Sequence, residues 1–570
     1  MSRATVKRHT VALVIVLEIL VGAAIWFSSS PSQAQPAAAT PAQVTAPAGS
    51  AVPVTPMSVT PATDAANPAP TATACPASKP HKKTPFLTAM RKDLVPIGIL
   101  LVVIAIVLFR VPKINLGHSK AFRHRRLLNW LPLGLTYTFL YFARYNIKSF
   151  QGIGADGFGL TAAQYGTVFG VGSAVYGLAF LLNGPLADRW GGRATILIAA
   201  VGAGAANLWM GYMAATHNTF GMSVPAAFTV AFALNMYFQS FGAVSIVKVN
   251  AAWFHVRERG TFGGIFGILI SLGLYFAFDI IPRIKDAFAI QWIFLVPAMI
   301  LFVFFVLSFV FVRNEPGDAG HTNFDLGDAT QEGDRPAKLS WWRWFRQIGV
   351  VLKKLLTHPV LLTIAAIELC SGFLRQAILQ WGIDFGRGIG IGDTFVFHNW
   401  GMVACIAGIT GGMFAGAVSD HVFQSRRSPV SGVLYAIMLT GAVLILVLMS
   451  TPQTIGWIIA FMSMAIIGVH GMLTATASAD FAGKHNTGVA VGMIDGFVYL
   501  GSTIQSFVYG NVLPPSKIKD AAGCLVPNPE AAKIENWHIW PYAMIPVAVV
   551  GFLLTLRIWN AKPRKDSPPH

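Results

Sequence analysis

GPLADRWGGR (184–193) separates two apolar segments of the chain, and a related loop, GAVSDHVFQSRR (416–427), stands at the equivalent place later on. In both loops a glycine is followed four residues later by an aspartate and then by arginine. The glycine would let helices approach closely, the aspartate would interact with a helix N-terminus, and the arginines would pair across a gate. Two copies predict a duplicated, gated structure; ordinary basic loops are the alternative. The candidate gating residues are Gly184, Asp188, Arg189, Arg193, Gly416, Asp420 and Arg426.

The composition is typical of a membrane protein with many spans. Of the 570 residues, 54% are hydrophobic and only 12% are charged, and the mean hydropathy is +0.58. A soluble domain carries about twice that share of charged residues. The net charge of +18 comes largely from Lys and Arg in short loops, which is the pattern of cytoplasmic loops in membrane proteins. We therefore predict a lipid bilayer as the surroundings and no nucleic-acid partner.

Apolar segments long enough to cross a bilayer recur about twelve times from residue 126 onward. A polar stretch divides them into six and six. We predict an all-α membrane protein with an N-terminal six-helix half at 126–312, a cytoplasmic linker at 313–358, and a C-terminal six-helix half with a short basic tail at 359–570. The expected spans are 127–147, 164–185, 194–215, 224–246, 260–281, 292–312, 359–383, 397–418, 430–449, 456–476, 489–512 and 539–558.

The first 125 residues precede this pattern and add one or two hydrophobic segments to it. Basic residues, an apolar stretch and small residues follow each other in 1–34, which is either a cleaved signal peptide or an uncleaved signal anchor. Residues 35–90 are rich in Pro, Ala and Thr and are predicted to be a disordered linker. Residues 91–125 are predicted to contain an extra transmembrane helix at about 94–110 and a basic cytoplasmic segment.

Two arginines lie inside apolar segments. Arg144 is near the end of LLNWLPLGLTYTFLYFARYN (127–146), and Arg375 is within VLLTIAAIELCSGFLRQAIL (360–379). A charge near the bilayer centre costs at least about 2.5–3.5 kcal/mol, so such residues usually face a bundle interior and mark a substrate path. Each arginine occupies the first span of one half, which predicts two positive walls of one central anion site. Alternatively, Arg144 reaches outward to the membrane interface.

Arginine suits a phosphate because its planar fork donates two parallel hydrogen bonds and keeps its proton. Tyr137, Tyr141 and Arg144 share one helix stripe and would face one cavity. Two facing cations repel each other, and an anion between them relieves that repulsion. A loaded carrier would then close more readily than an empty one, which favours exchange without ATP.

Three further polar residues within the spans are candidates for the same site. Glu368 precedes the second arginine by seven residues, about 10 Å along a helix. It would either neutralise an arginine or couple transport to a proton. His470 is either a site residue or a buried imidazole with satisfied hydrogen bonds, and Asp495 is either structural or an acceptor for a hydrogen bond or proton.

Several short patterns carry a resemblance to known transporters. They are Tyr137-x3-Tyr141-x2-Arg144-x-Asn146, Phe238-Gln239-x-x-Gly242, Trp253-Phe254-x3-Glu258-Arg259-Gly260, Phe373-Leu374-Arg375, Ser419-Asp420-x-Val422-Phe423 and Gly496-x2-Tyr499-x-Gly501. With these patterns and the duplicated loops, residues 126–560 resemble the major facilitator superfamily, and within it the organophosphate:phosphate antiporters. That family includes glycerol-3-phosphate and hexose-phosphate transporters. The resemblance implies a twelve-helix major facilitator fold.

The same resemblance implies roles for residues at matching positions. In the family, the matching arginines bind the substrate phosphate and the matching tyrosines line the site. Substrate-binding roles are thus implied for Tyr137, Tyr141, Arg144, Arg375 and Tyr499. Three positions depart from the family's glycerol-phosphate transporter: Tyr145 and Phe180 replace lysines, and about Ile270 replaces a histidine. With Glu368 added, the site has lost positive charge, which favours an anion of lower charge over a dianion.

The predicted function is secondary transport of a small organic anion, preferably a sugar phosphate or glycerol phosphate. Exchange for inorganic phosphate or coupling to a proton would drive it by alternating access. The alternative is a transporter-like membrane sensor of external sugar phosphate. We predict no enzyme activity, metal or cofactor, because the sequence has no G-x-x-x-x-G-K-[ST] loop, no C-x-x-C pair and no evident nucleophile–base pair. We expect a monomeric, multi-pass protein of the plasma (inner) membrane with a cytoplasmic C-terminus.

Two cysteines fall on the predicted outer side of the membrane. Cys75 lies in the Pro-rich linker and Cys524 lies between the last two spans. Disulfides persist in an oxidising compartment, so these residues would either form a bridge or remain as two free thiols.

Overall fold

The computed structural model describes most of the predicted membrane domain. The described residues are 94–110, 116–152, 158–255, 258–323, 346, 349–350, 352–353, 356–423, 427–473, 487–519 and 525–560. The expectations for 1–34 and 35–90, the pairing of Cys75 with Cys524, and Arg426 fall outside these ranges.

The protein is all-α with a small β-hairpin, and the predicted twelve-helix fold in two halves is confirmed. One helix precedes the halves: α1 (Leu94–Arg110). The N-terminal half contains α2 (Lys120–Tyr145), α3 (Ala162–Trp190), α4 (Gly192–Thr216), α5 (Val224–Trp253), α6 (Arg259–Tyr275) continued by α7 (Ile281–Ala287), and α8 (Trp292–Phe311). The C-terminal half contains α9 (Pro359–Gly388), α10 (Trp400–His421), α11 (Arg427–Val447), α12 (Pro452–His470), α13 (Thr487–Val512) and α14 (Ile539–Arg557).

Short elements connect these helices. A π-turn (Phe276–Ile280) joins α6 to α7, so that both form the fifth span. The hairpin pairs β1 (Lys517–Lys519) with β2 (Leu525–Pro527) in antiparallel register. The remaining pieces are the 3₁₀ turns Asn146–Phe150, Gly317–Ala319, Pro529–Ala532 and Ile534–Trp537, and the one-turn helix Phe395–His398. We call the end of the bundle with the hairpin the hairpin end, and the end with loops 184–193 and 416–427 the motif end.

Local sequence sets where the helices begin. At the start of α3 the Thr161 hydroxyl accepts a hydrogen bond from the Gln164 backbone N–H, while the Gln164 side chain accepts one from the Thr161 N–H. This reciprocal cap satisfies two of the N–H groups that a helix start leaves open. At the start of α10 the cap comes from the other half, because Asp279 in the π-turn accepts from the backbone N–H groups of Gly401 and Met402, both at 2.8 Å.

Burial separates central from peripheral helices. The apolar window of α9 is 78% buried, whereas those of α8 and α14 are each 33% buried. A membrane helix that buries little of its apolar surface leaves the rest to lipid. The Cβ of an alanine at Gly372 would lie 1.9 Å from the Val498 carbonyl oxygen, so α9 and α13 approach each other closely. Arg375 is therefore on the most enclosed of these helices.

The helix α1 packs beside the C-terminal half. Leu100, Val103 and Val107 are buried, and α1 contacts α10. Leu101 and Phe109 are exposed to the surroundings. One face therefore packs on protein and the opposite one is apolar and open, as expected for a helix at the edge of a membrane bundle.

The two halves meet mainly through α3 with α13 and α6 with α10. Hydrogen bonds that join two described residues across the halves lie from the middle of the bundle to its hairpin end. They connect Arg144 with Tyr499, Tyr145 with Gln376, Tyr165 with Gln380, Lys148 and Gln151 with Asp384, Thr503 with Gly170, and Asp279 with α10. This is the arrangement of a bundle whose hairpin end is closed.

Candidate functional site

Arg144 lies at the centre of the bundle, although it is near the end of α2. Its side chain is 1% exposed, and it does not reach a membrane interface. Its Nε donates to Gln239 Oε1 at 2.8 Å, and its Nη1 donates to the Tyr499 hydroxyl at 2.7 Å. The third nitrogen, Nη2, is buried and has no hydrogen-bond partner among the described residues. A buried donor without an acceptor is costly, so this N–H group is a candidate contact for a bound anion.

Two tyrosine rings enclose the Arg144 guanidinium. Its Cζ lies 4.6 Å from the ring centroids of both Tyr141 and Tyr176. An arginine over aromatic rings is stabilised by cation–π attraction, which is larger when the group is desolvated. Tyr137 stands one turn back on α2 and meets the Tyr141 ring edge-on at 5.3 Å. The predicted stripe is therefore present, with Tyr141 against the arginine and Tyr137 behind it.

The Tyr499 ring lies near both arginines. Its ring centroid is 5.8 Å from the Arg144 Cζ and 6.0 Å from the Arg375 Cζ. The Arg375 Nε is buried and has no hydrogen-bond partner among the described residues. The two arginines of the two halves thus converge on one ring, and each presents a buried N–H group without an acceptor. This pair of open donors is the central feature of the candidate site.

Glu368 pairs with His470 rather than with an arginine. The carboxylate is fully buried, and its Oε2 lies 3.3 Å from His470 Nδ1. Its Oε1 is buried and has no hydrogen-bond partner among the described residues. The described residues show no ion pair between Glu368 and Arg375. The interpretation of Glu368 as a direct neutraliser of an arginine is therefore not the arrangement seen, and His470 is its partner.

A buried network of uncharged groups closes the site on its hairpin side. Gln376 donates to the Tyr145 hydroxyl at 3.0 Å and accepts from Gln380 at 2.6 Å. The Tyr165 hydroxyl donates to Gln380 Oε1. Tyr145 and Tyr165 belong to the N-terminal half, and both glutamines belong to α9. Tyr145, which replaces a lysine of the family, thus contributes a hydrogen bond here in place of a charge.

Beyond this network an ion pair joins the halves at the hairpin end. Lys148 Nζ lies 2.7 Å from Asp384 Oδ2 and also donates to Gln151 at 2.6 Å. The lysine side chain is 6% exposed and the aspartate side chain 20%. The Lys148 ammonium lies 4.6 Å and 4.7 Å from the ring centroids of Tyr165 and Trp381. Lys148, four residues after Arg144, thus joins the two halves at the hairpin end.

The candidate gating residues are only partly visible. Arg193 donates to the Phe309 carbonyl at 2.8 Å and stacks on the Phe309 ring at 5.2 Å, so it binds α8 of its own half and not the opposite half. A Cβ at Gly184 would meet nothing within 4 Å, and one at Gly416 would meet only Met472 at 4.0 Å. Close helix approach therefore does not explain these two glycines. Arg189 is exposed, and the side chains of Asp188 and Asp420 lie outside the description.

Four contributors to the site were not singled out from the sequence. They are Tyr176, Gln239, Gln376 and Gln380. A signal existed for the last two, since polar side chains inside an apolar span need partners within the bundle. Asp495, one turn before Tyr499 on α13, is partly buried and has a buried oxygen. Phe180 packs on Tyr176 with ring centroids 5.6 Å apart, so an apolar ring stands where the family has a lysine.

Comparisons with known proteins agree with this architecture. A family model described as Major Facilitator Superfamily matches residues 133–506. The membrane sensor protein UhpC of Salmonella typhimurium is 24% identical over 460 residues, which is 78% of this chain and 93% of the relative. The glycerol-3-phosphate transporter of Bacillus subtilis is 24% identical over 409 residues, 67% of this chain and 85% of the relative.

A solved structure shares the fold. It is a bacterial homolog of the human lysosomal transporter Spinster in an inward-facing, unoccupied conformation. The TM-score is 0.58 at 14% identity, over 79% of this chain and 100% of that one. At this identity the similarity concerns the fold alone.

Proposed function

The chain belongs to the Major Facilitator Superfamily, and on that premise we propose that it is a secondary transporter of small organic phosphates. Arg144 and Arg375 would clamp the phosphate between the two halves. The observation that carries this proposal is the pair of buried N–H groups without acceptors among the described residues, one on each arginine, with both arginines near the Tyr499 ring. An anion with several oxygen atoms would satisfy both donors at once.

The substrate class rests on the relatives and on the geometry together. A relative that matches most of the chain is a glycerol-3-phosphate transporter. A tetrahedral phosphate offers three terminal oxygens, whereas a carboxylate offers two in one plane. Donors that come from two different helices and lie near one tyrosine ring favour the tetrahedral group, because its oxygens point in several directions. We therefore favour glycerol phosphate or a sugar phosphate over a simple carboxylate.

Alternating access would proceed by rocking of the halves about the central site. The structure corresponds to the state that is closed at the hairpin end, and binding from the motif end would precede reorientation. We place the motif end in the cytoplasm, because its loops carry the arginines. The protein would then lie in the plasma (inner) membrane with its C-terminus inside. Exchange for inorganic phosphate would be the basic mode, since an occupied clamp relieves the repulsion of the arginines.

The clamp is tested by replacing either arginine with lysine in the full-length protein. Arg375→Lys keeps the charge and loses the fork, so at least one hydrogen bond to a charged group is lost. Such a bond contributes about 1.5–3 kcal/mol, which corresponds to a rise of roughly 10- to 100-fold in the half-saturating concentration. The measurement is uptake of labelled glycerol 3-phosphate into proteoliposomes preloaded with inorganic phosphate.

The matched control is Arg557→Lys, since Arg557 is exposed in the last turn of α14. Its half-saturating concentration should equal that of the unmodified protein. If Arg375→Lys also transports with unchanged half-saturation and rate, the clamp is refuted. Folding is checked for both variants by thermal unfolding in detergent.

A membrane sensor is the second candidate, because a relative that matches 78% of the chain is a membrane sensor protein. A sensor would bind glycerol 3-phosphate through the same arginines with little flux. Binding in detergent together with exchange in proteoliposomes separates the two functions. Tight binding without exchange would favour the sensor.

A further inference from the structure

Glu368 and His470 form a pair of titratable groups next to the clamp that the clamp itself does not use. Glu368 is fully buried on α9, seven residues from Arg375 and displaced toward the motif end by about 10 Å. His470 comes from a different helix, the last residue of α12, and is 29% exposed. The carboxylate is thus hidden while its partner is partly exposed.

The Glu368 carboxylate has one paired oxygen and one open oxygen. Its Oε2 faces His470 Nδ1 at 3.3 Å, and Oε1 is buried with no hydrogen-bond partner among the described residues. An ionised carboxylate in such a place keeps an unsatisfied oxygen, which is costly. One shared proton, on the imidazole or on the carboxyl group, makes the pair neutral as a whole and removes most of that cost. Loss of the proton leaves one net negative charge inside the bundle.

Among the described residues, Arg375 is the fixed positive charge nearest to Glu368 on the same helix. Cys370 lies on the same helix as Glu368, and the Tyr435 hydroxyl of α11 is already bound to the Ile367 carbonyl at 2.5 Å. The buried residues of α14 include no titratable group. On α10, Cys405 lies near Asp279 and His421 is exposed. The helix α13 adds Asp495 and Tyr499, and the ring of the latter faces Arg375.

Occupancy of the clamp must therefore change the proton affinity of the pair. Without a bound anion, the positive charge of Arg375, two helical turns from Glu368 on the same helix, favours a negative charge on the pair. A bound anion cancels that charge. By reciprocity, proton binding to the pair and anion binding to the clamp favour each other.

We propose that Glu368 and His470 together bind one proton that crosses the membrane with the organic phosphate, an inference that rests on the proposed transport function. The proton is taken from water on the side to which the site is open. It is released to water on the other side when the anion leaves, and no bond other than the proton's own is made or broken. The structure thus assigns to Glu368 and His470 the second half of a coupled site.

The experiment compares two rates in proteoliposomes that contain the full chain. One is the exchange of labelled glycerol 3-phosphate for phosphate at equal pH on both sides; the other is uptake driven by an imposed pH difference. In Glu368→Gln, the ratio of pH-driven uptake to exchange should fall at least tenfold. The control Glu535→Gln removes an exposed carboxylate of the hairpin-end loop and should leave the ratio unchanged. An unchanged ratio in Glu368→Gln overturns the proposal.

A second measurement tests the pair without any flux. Calorimetry of glycerol 3-phosphate binding in two buffers of different ionisation enthalpy gives the number of protons taken up. The unmodified protein should take up a measurable number of protons for each glycerol 3-phosphate bound, and Glu368→Gln should take up fewer. Equal proton uptake by both proteins contradicts the proposal. If the unmodified protein exchanges phosphates but a pH difference never drives uptake, only the proton site is wrong. If it neither binds nor exchanges glycerol 3-phosphate, the transport function is wrong as well.

Discussion

Asp384→Asn tests whether the hairpin end is held closed by its ion pair. Lys148 Nζ lies 2.7 Å from Asp384 Oδ2, and the two residues belong to different halves. The contact requires the halves to meet at this end, so removing it destabilises that closed state and leaves the opposite one unaffected. We therefore expect the variant to expose the hairpin side of the pathway more often.

The size of the effect follows from the burial of the pair. Breaking a fully buried ion pair costs about 3–5 kcal/mol, and an exposed pair contributes about 0–1 kcal/mol. Here the lysine side chain is 6% exposed and the aspartate 20%, and the amide oxygen of the substituted side chain would still accept a hydrogen bond. We take about 2 kcal/mol as the stability that the closed state loses with this ion pair, which shifts the ratio of closed to open states roughly 30-fold.

The assay is alkylation of a single cysteine by a membrane-impermeant maleimide. Ser506→Cys is suitable because Ser506 is 1% exposed at the interface of α3 and α13. Cys75 and Cys524 are replaced by serine, while Cys370 and Cys405 are buried and stay. The labelling rate should rise roughly 30-fold in Asp384→Asn, in line with the population shift.

A matched control breaks an exposed ion pair in the hairpin-end loop. Lys533 and Glu530 lie 2.5 Å apart with side chains 57% and 53% exposed. Glu530→Gln should leave the labelling rate unchanged. The reasoning is refuted if Asp384→Asn labels at the original rate, or if Glu530→Gln accelerates labelling equally.

Two further substitutions test the packing and the cap that position the site. Gly372→Ala would place a methyl group 1.9 Å from the Val498 carbonyl oxygen, so the free energy of unfolding should fall by about 1–3 kcal/mol. The measurement is thermal unfolding in detergent. The control Gly412→Ala, where nothing lies within 4 Å of the added methyl group, should unfold at the same temperature as the unmodified protein. Asp279→Ala removes the two carboxylate oxygens that accept hydrogen bonds at the start of α10. It should lower the free energy of unfolding by about 1 kcal/mol. Since that cap joins the halves, it should also speed the Ser506→Cys labelling several-fold, and unchanged labelling would contradict this.

The sequence predicts the helices better than their ends. Hydropathy marked spans at 164–185 and 224–246, but the helices are Ala162–Trp190 and Val224–Trp253. Hydropathy detects the part of a helix that contacts lipid. The helix itself extends further, as far as its backbone hydrogen bonds continue. The polar last turns extend these helices into the motif-end loops, so the number of spans is unaffected.

Charged residues in apolar segments were readable from the sequence, but their partners were not. Arg144 and Arg375 stand out because a charge in a span needs a reason. Glu368 was expected to act on Arg375, since periodicity relates residues of one helix. Its partner is His470, which is 102 positions away. Only the packing of α9 against α12 brings the two together, and no spacing rule contains that information.

The duplicated loops pointed to the correct family, while the gate predicted for them stays a prediction. Arg193 contacts Phe309 of its own half, and Gly184 has open space beside it. The side chains of Asp188, Asp420 and Arg426 lie outside the described residues. In a carrier that alternates, pairing across the motif end would belong to the state in which that end is closed.

Tyr499 bears on how the proposed clamp would select its anion. Its hydroxyl accepts from Arg144 Nη1 at 2.7 Å, so a phenol occupies part of the place that a substrate oxygen would take. The substrate must then displace this bond or add to it, and Nη2 of Arg144 and Nε of Arg375 are the donors still open. An anion with one acceptor gains little beyond what the phenol already provides. Under the proposed function, a phosphate would bind both open donors and leave the phenol in place, so selectivity for phosphate would come from donors that have no acceptor among the described residues.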